Sequence, residues 1–200
     1  MKKIILILLA VCLVFFMTGK RKAEIKNLDN AGQSIVIFGD SLSYGYGAPR
    51  GKSYPDLLAK KTNRSIINLG RNGETAIGAV RRIEEALEEN PYMVLIEFGG
   101  NDFMRGANFD QTVQDVSDMV DKVQAAGAVA VVVDTGGYYG MKKYSKAYKK
   151  IAEEKGAVFV EGILDGVFGK KDLMSDQIHP NAQGYEMIAE KIYQEIKDYL

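Results

Sequence analysis

From Ser34 onward the chain passes between two regimes of hydrophobic patterning. Short, mainly apolar runs occur at Ile35–Phe38, Ser65–Leu69, Tyr92–Phe98, Ala128–Val133 and Ala157–Val160. Runs this short, with no polar alternation, predict strands buried on both faces. Between them apolar residues recur every three or four positions. Tyr54–Lys61 carries Leu57 and Leu58, and Thr75–Glu89 carries Ile77, Val80, Ile83 and Leu87. Phe109–Ala126 repeats Val113, Val116, Val120 and Val123 and stops at Gly127, and Lys142–Lys155 stops at Gly156. Ala182–Leu200 closes the chain with Ile188, Ile192 and Ile196 on one face. This spacing predicts amphipathic helices, two of them ended by glycine. Five strands separated by helices require right-handed crossovers. The expected architecture is α/β: three layers with a five-stranded, mainly parallel sheet at the centre. In such sheets ligands bind beyond the carboxyl ends of the strands, so candidate chemistry is sought in the residues just after each strand.

The first 22 residues have a different plan. Lys2 and Lys3 precede an apolar run from Ile4 to Met17, the layout of a secretory signal. The run is shorter than the ~20 residues of a comfortable membrane span. No Ala-x-Ala marks a cleavage point before Lys20-Arg21-Lys22, so an uncleaved membrane anchor through residues 4–19 is the alternative. Either way the body is expected to be exported (periplasmic or extracellular) or membrane-tethered, with residues 23–33 as a linker and 34–200 as one domain. Cys12 lies in a faint lipoprotein box, but Val11 before it and the apolar Leu13–Met17 after it argue against lipidation.

Charge narrows the function. The whole chain is neutral, but residues 1–22 hold five bases and no acid, which leaves the remainder at −5. A body with that balance and no basic stripe is not expected to bind nucleic acid. One cysteine and one histidine exclude a disulfide framework and any polyhistidine or multi-cysteine metal centre. A monomer or weak dimer is expected.

The first strand is followed by Gly39-Asp40-Ser41-Leu42-Ser43, the second by Gly70-Arg71-Asn72-Gly73-Glu74-Thr75, and the third by Gly99-Gly100-Asn101-Asp102. Before the last helix stands Asp176-Gln177-Ile178-His179-Pro180. Taken singly these are ordinary: a serine after Gly-Asp caps helices, a lone histidine is usually packed or exposed, and Asn-Asp and glycine mark turns. Together they supply a hydroxyl, glycine amides, a carboxamide, an imidazole and a carboxylate. That is the set acyl transfer needs, with no metal or organic cofactor.

At these residues the sequence resembles the GDSL-type (SGNH) family of esterases and lipases, within it most nearly the bacterial acyl-thioesterase, lysophospholipase and arylesterase group. The resemblance spans Ser34 to Leu200 and implies a flavodoxin-like hydrolase fold. It implies Ser41 as nucleophile, Asp176 and His179 as the rest of a triad, and an oxyanion hole from the Ser41 and Gly73 N–H groups and the Asn101 side chain. Asp40 and Asp102 are expected to bond nearby amides. Arg71-Asn72-Gly73-Glu74 departs from the family's usual small-residue lead-in and aspartate, which leaves the shape of that loop open. Two decoys fall away. Gly47–Ser53 has one residue too few between its glycines for a phosphate loop, and Ser43 stands where a Gly-x-Ser-x-Gly elbow needs glycine.

The expected substrate is a small acyl ester or thioester of short to medium chain length. Tyr138, Tyr139 and Met141 are candidates for one wall of the acyl pocket, with Phe103 and Met104 opposite; the alternative is that they are surface residues. Arg105 either meets an anionic head group or sits in solvent. A carbohydrate O-acetylesterase using the same site is the rival reading. A non-catalytic binding module is the remote one, since Ser41, Asn101 and His179 are all retained.

Overall fold

A computed structural model describes residues 23–137 and 139–200, with only the backbone of Tyr139. The signal or anchor assigned to residues 1–22 and the pocket wall assigned to Tyr138 therefore lie outside the described residues.

The five strands are β1 (Ser34–Gly39), β2 (Ser65–Asn68), β3 (Pro91–Glu97), β4 (Val129–Val133) and β5 (Val158–Val160). They form one parallel sheet in the order β2-β1-β3-β4-β5. The order of strands along the sheet reverses between β1 and β3, and such a switch point opens a crevice at the carboxyl edge. Alternate side chains of each strand feed two cores. Val36, Phe38, Val94, Ile96, Ala130 and Val132 meet one helical layer, while Ile35, Ile37, Met93, Leu95, Val131 and Val133 meet the other. The helices α1 (Ser41–Tyr44), α2 (Tyr54–Lys61), α3 (Ala76–Ala79), α4 (Glu84–Leu87), α5 (Gly100–Met104), α6 (Phe109–Ala125), α7 (Lys142–Lys155) and α8 (Ala182–Ile196) complete the described elements, with 3₁₀ turns at Val80–Arg82, Tyr139–Met141 and Lys197–Tyr199. The first core takes α3, α4, α6 and α7, and the second takes α2 and α8. Among the described residues no helix is long and apolar enough to cross a membrane.

Three departures from the sequence reading have physical causes. β2 is an edge strand with half-exposed residues, not a strand buried on both faces. The helix expected over Thr75–Glu89 is broken into α3, a 3₁₀ turn and α4. Its inward face is made of Ala76, Ala79, Ile83 and Ala86, while Ile77 is 44% exposed. Small side chains let this segment lie close on the sheet, and the apolar stripe counted from the sequence faces partly outward.

The third departure is that residues 23–33 are not a free linker. Ala23 and Lys26 donate their N–H groups to the Glu153 and Gly156 carbonyls. Asn27 Nδ2 donates to the Gln124 and Ala128 carbonyls, at 2.9 Å each, and Asn30 Nδ2 to the Tyr92 carbonyl at 3.1 Å. Gly32 passes so close to the start of β3 that a Cβ there would lie 2.3 Å from the Tyr92 nitrogen, so only glycine fits. The segment thus runs past the amino ends of β5, β4 and β3 in turn.

Candidate active site

The crevice at the switch point is built by the turns after β1 and β3. Asp40 leaves β1 and caps the one-turn helix α1, its Oδ1 accepting the Leu42 N–H at 2.9 Å. Ser41 is the first residue of that helix, so its own N–H has no intrahelical acceptor and is left for a ligand. Gly99 allows the chain to turn from β3 into α5 at φ 115°, against the Tyr148 ring. That turn places Asn101 beside α1, where its Nδ2 donates to Asp40 Oδ2 at 2.8 Å. An amide NH₂ carries two protons, so a second one remains for an oxyanion.

His179 reaches Ser41 from the loop before α8. Its Nε2 lies 3.1 Å from Ser41 Oγ and its Nδ1 2.8 Å from Asp176 Oδ2. Asp176 Oδ1 also accepts the Ile178 and His179 N–H groups, at 2.8 Å each, which closes the tight turn that three-residue spacing requires. Partial burial raises the Asp176 carboxyl, but hydrogen bonds from the imidazole and the two amides outweigh it and hold it below the usual carboxylate range. An ionised Asp176 keeps the proton on Nδ1 and leaves Nε2 free to accept from the serine. Ser175 fastens the turn further, its N–H and hydroxyl both donating to the His179 carbonyl. Tyr46 packs on the imidazole with ring centroids 4.4 Å apart, and its own carbonyl accepts the Tyr185 hydroxyl.

Gly73 sits at φ 73° in the loop after β2, with the Arg105 guanidinium beside it. The unusual Glu74 has a structural partner: its carboxylate clamps Arg82, which also donates to the Leu69 carbonyl and lies over the Phe38 ring. As expected, Asp102 bonds nearby groups, accepting from the Ala76 N–H and the Thr112 hydroxyl.

A cleft at Ser41, Asn101 and His179 is walled by Leu42, Met104, Thr135, Leu164 and Ile178. Its volume is about 20 Å³, room for about one water-sized group. Met104 is thus at the cleft. Met141 is not: it is wholly buried in the first core and does not line this cleft. Phe103 lies beneath the Tyr139–Met141 turn, edge-on to Tyr144, and braces that turn from below. The side chain of Tyr139 is outside the described residues. Thr135, Leu164, Ile178 and Tyr46 join the site without having been picked out by the sequence. Of these only Thr135 carries a signal, as the second residue beyond a strand end. The Thr135 hydroxyl is buried at the cleft with no hydrogen-bond partner among the described residues.

A parallel sheet whose switch point holds a serine, a histidine within reach of it and a carboxylate behind the histidine defines a three-layer serine hydrolase. Residues 37–187 match the model of the GDSL-like lipase/acylhydrolase family, and the chain belongs to that family. The chain is 29% identical over 182 residues to the esterase TesA of Pseudomonas aeruginosa, covering 85% of this chain and 90% of that one. It is 31% identical over 169 residues to "Thioesterase 1/protease 1/lysophospholipase L1" of Escherichia coli K12, covering 80% and 81%. The crystal structure of the esterase EstA from a Pseudoalteromonas species, inhibited by monoethylphosphonate, superposes with a TM-score of 0.74 at 33% identity, covering 84% of this chain and 98% of that one. The protein is a serine esterase acting on small-molecule ester substrates.

Proposed function

We propose that the protein hydrolyses short-chain acyl esters and thioesters through Ser41, His179 and Asp176, with the Ser41 and Gly73 N–H groups and Asn101 Nδ2 as the oxyanion hole. The observation that carries this reading is the continuous relay Ser41 Oγ–His179 Nε2–Asp176, at 3.1 and 2.8 Å. His179 Nε2 takes the serine proton as Oγ bonds to the carbonyl carbon. The oxygen of the tetrahedral intermediate gains negative charge, which the three donors receive. Collapse expels the alcohol or thiol with the proton held on Nε2. Water then repeats the sequence on the acyl-serine, releasing the acid and restoring the hydroxyl.

The small volume of the cleft beside Ser41 and its apolar wall of Leu42, Leu164 and Ile178 support short acyl groups first. Met104, 46% exposed, is the side chain free to yield to longer ones. The apolar wall favours this reading over a sugar deacetylase, whose substrate would present hydroxyls. Tyr138 and Tyr139 stay candidates for the outer wall. Export rests on the lysine pair and apolar run of residues 2–17.

The test is hydrolysis of p-nitrophenyl esters from acetate to palmitate by the protein and by Ser41→Ala. Activity abolished in the variant and greatest at short chains is expected. Activity that survives Ser41→Ala, or that rises steadily to palmitate, would overturn the assignment.

A further inference from the structure

Behind the oxyanion hole lies a second carboxyl that the reaction above does not use. Glu97 is the last residue of β3 and pairs in register with Gly39, the residue before Asp40. Its side chain is fully buried. Oε2 accepts the Ser43 hydroxyl at 2.9 Å, and Ser43 in turn contacts the Tyr54 hydroxyl at 2.6 Å. Oε1 is buried and makes no well-formed hydrogen bond to any described donor. Its acidic neighbour is the Asp40 carboxyl, one residue beyond the Gly39 with which Glu97 pairs and almost as deeply buried. Among the described residues no lysine or arginine pairs with either group.

Two carboxylates facing each other away from water cannot both ionise, and two acceptors form a hydrogen bond only if one carries a proton. The surroundings decide which. Asp40 accepts full hydrogen bonds from the Leu42 N–H and Asn101 Nδ2 and lies near His179. Glu97 accepts one hydroxyl and a weaker approach from the Asp40 N–H, and the groups around it are the neutral hydroxyls of Tyr54, Tyr148 and Tyr185. Burial and the Asp40 charge push Glu97 well above the usual carboxylate range, and burial lifts Asp40 only to about 6.

We propose that Glu97 is a positioning residue of the oxyanion hole: as a neutral acid it donates a hydrogen bond to the Asp40 carboxylate, which thereby holds the Asn101 amide against the developing oxyanion. The chain of contacts runs Glu97 to Asp40 to Asn101, and no atom of Glu97 touches substrate. It rests on the reading of Asn101 given above. Without that donor, Asp40 keeps a buried charge with one partner fewer, and the amide it orients is free to turn.

The experiment compares Glu97→Gln, which keeps an N–H donor for Asp40 and an acceptor for Ser43, with Glu97→Met, which keeps neither. Each is made in the wild-type chain and in Asn101→Ala, and assayed on p-nitrophenyl butyrate beside Ser41→Ala. Glu97→Met is expected to lose ~10–100-fold in kcat with KM little changed, a fraction of what a whole oxyanion donor is worth. Glu97→Gln is expected to restore most of that loss. In the Asn101→Ala background Glu97→Met should cost less than ~3-fold more, because the residue it acts through is gone. Equal losses in Gln and Met, or the full Met loss persisting without Asn101, would overturn the proposal. Should Glu97→Met fail to fold, infrared difference spectra decide. A water-shielded protonated carboxyl band must be present in the wild type near neutral pH and absent from Glu97→Gln. Its absence from the wild type refutes the neutral acid. Loss of all turnover in Ser41→Ala keeps a failure of the nucleophile assignment separate from a failure of this one.

Discussion

Replacing Asp176 by asparagine and by alanine separates two jobs of one carboxylate. In the native turn Oδ1 accepts two backbone N–H groups while Oδ2 accepts from His179 Nδ1. An asparagine has one oxygen, and the pair of amides claims it, so the NH₂ group is turned toward Nδ1. Nδ1 must then accept, which moves the imidazole proton to Nε2 and leaves nothing to receive the serine proton. A trapped tautomer of this kind costs ~10⁴ in kcat, or ~5.5 kcal/mol of barrier. Alanine removes the orienting group without imposing the wrong tautomer. The Asp176 side chain is 43% exposed, so water can replace its contact with Nδ1, and the expected loss is at least ~10-fold smaller than for asparagine. Stability runs the other way, because asparagine keeps both turn hydrogen bonds and alanine forfeits them at about 1 kcal/mol each. Steady-state kinetics on a p-nitrophenyl ester with thermal melts of the same samples give both orders. An alanine variant slower than the asparagine variant, or an asparagine variant within ~10-fold of wild type, would refute the assignment of Nδ1–H to Asp176.

Three further outcomes are expected. Thr135→Val should stabilise the fold by about 1 kcal/mol, since a buried hydroxyl without a partner is replaced by an isosteric methyl. It should also shift acyl preference toward propionate and butyrate over acetate, read as kcat/KM ratios. Glu74→Ala should destabilise by about 2 kcal/mol in urea unfolding, because Arg82, only 8% exposed, loses the nearer of its two carboxylates and keeps only Glu85 at 3.5 Å; activity should fall with it through the adjoining Gly73. For Glu97 the folded state holds a proton that the unfolded chain releases near 4.5. Its stabilising contribution is therefore full below that pH and is lost as pH rises toward the raised folded value, by about 1.4 kcal/mol per pH unit. Above about pH 4.5 the unfolding free energy of wild type should fall faster with pH than that of Glu97→Gln; parallel curves would mean that Glu97 is ionised.

The site is legible in the sequence where chemistry and backbone punctuation coincide. Ser41, Asn101 and the Asp176–His179 turn each come just after a strand or just before a helix, and the three-residue spacing lets Asp176 reach His179 at 2.8 Å; the contacts of His179 with Ser41 at 3.1 Å and of Asn101 with Asp40 at 2.8 Å are set by the fold, not by spacing along the chain. The walls are not legible, because Leu164 and Ile178 are ordinary apolar residues in sequence and reach the cleft only through loop packing. Met141 is misplaced by the sequence for a related reason: a residue near a glycine-rich loop looks exposed until the turn above it closes over the core. Glu97 does carry a signal, as a lone acid inside an otherwise apolar buried strand. The alanine face of Thr75–Glu89 escapes because periodicity counts large side chains, whereas close packing on a sheet selects small ones.

The docked segment of residues 23–33 also sets a direction. It enters along the amino ends of the strands, while Ser41 and Asn101 stand beyond their carboxyl ends. A body held from its amino-terminal side, by a bilayer or by a bead, therefore turns its back to the support and opens its mouth to the surrounding fluid. Substrates would be met from solution, and a lipid in the supporting layer itself would lie a full domain's depth from the serine.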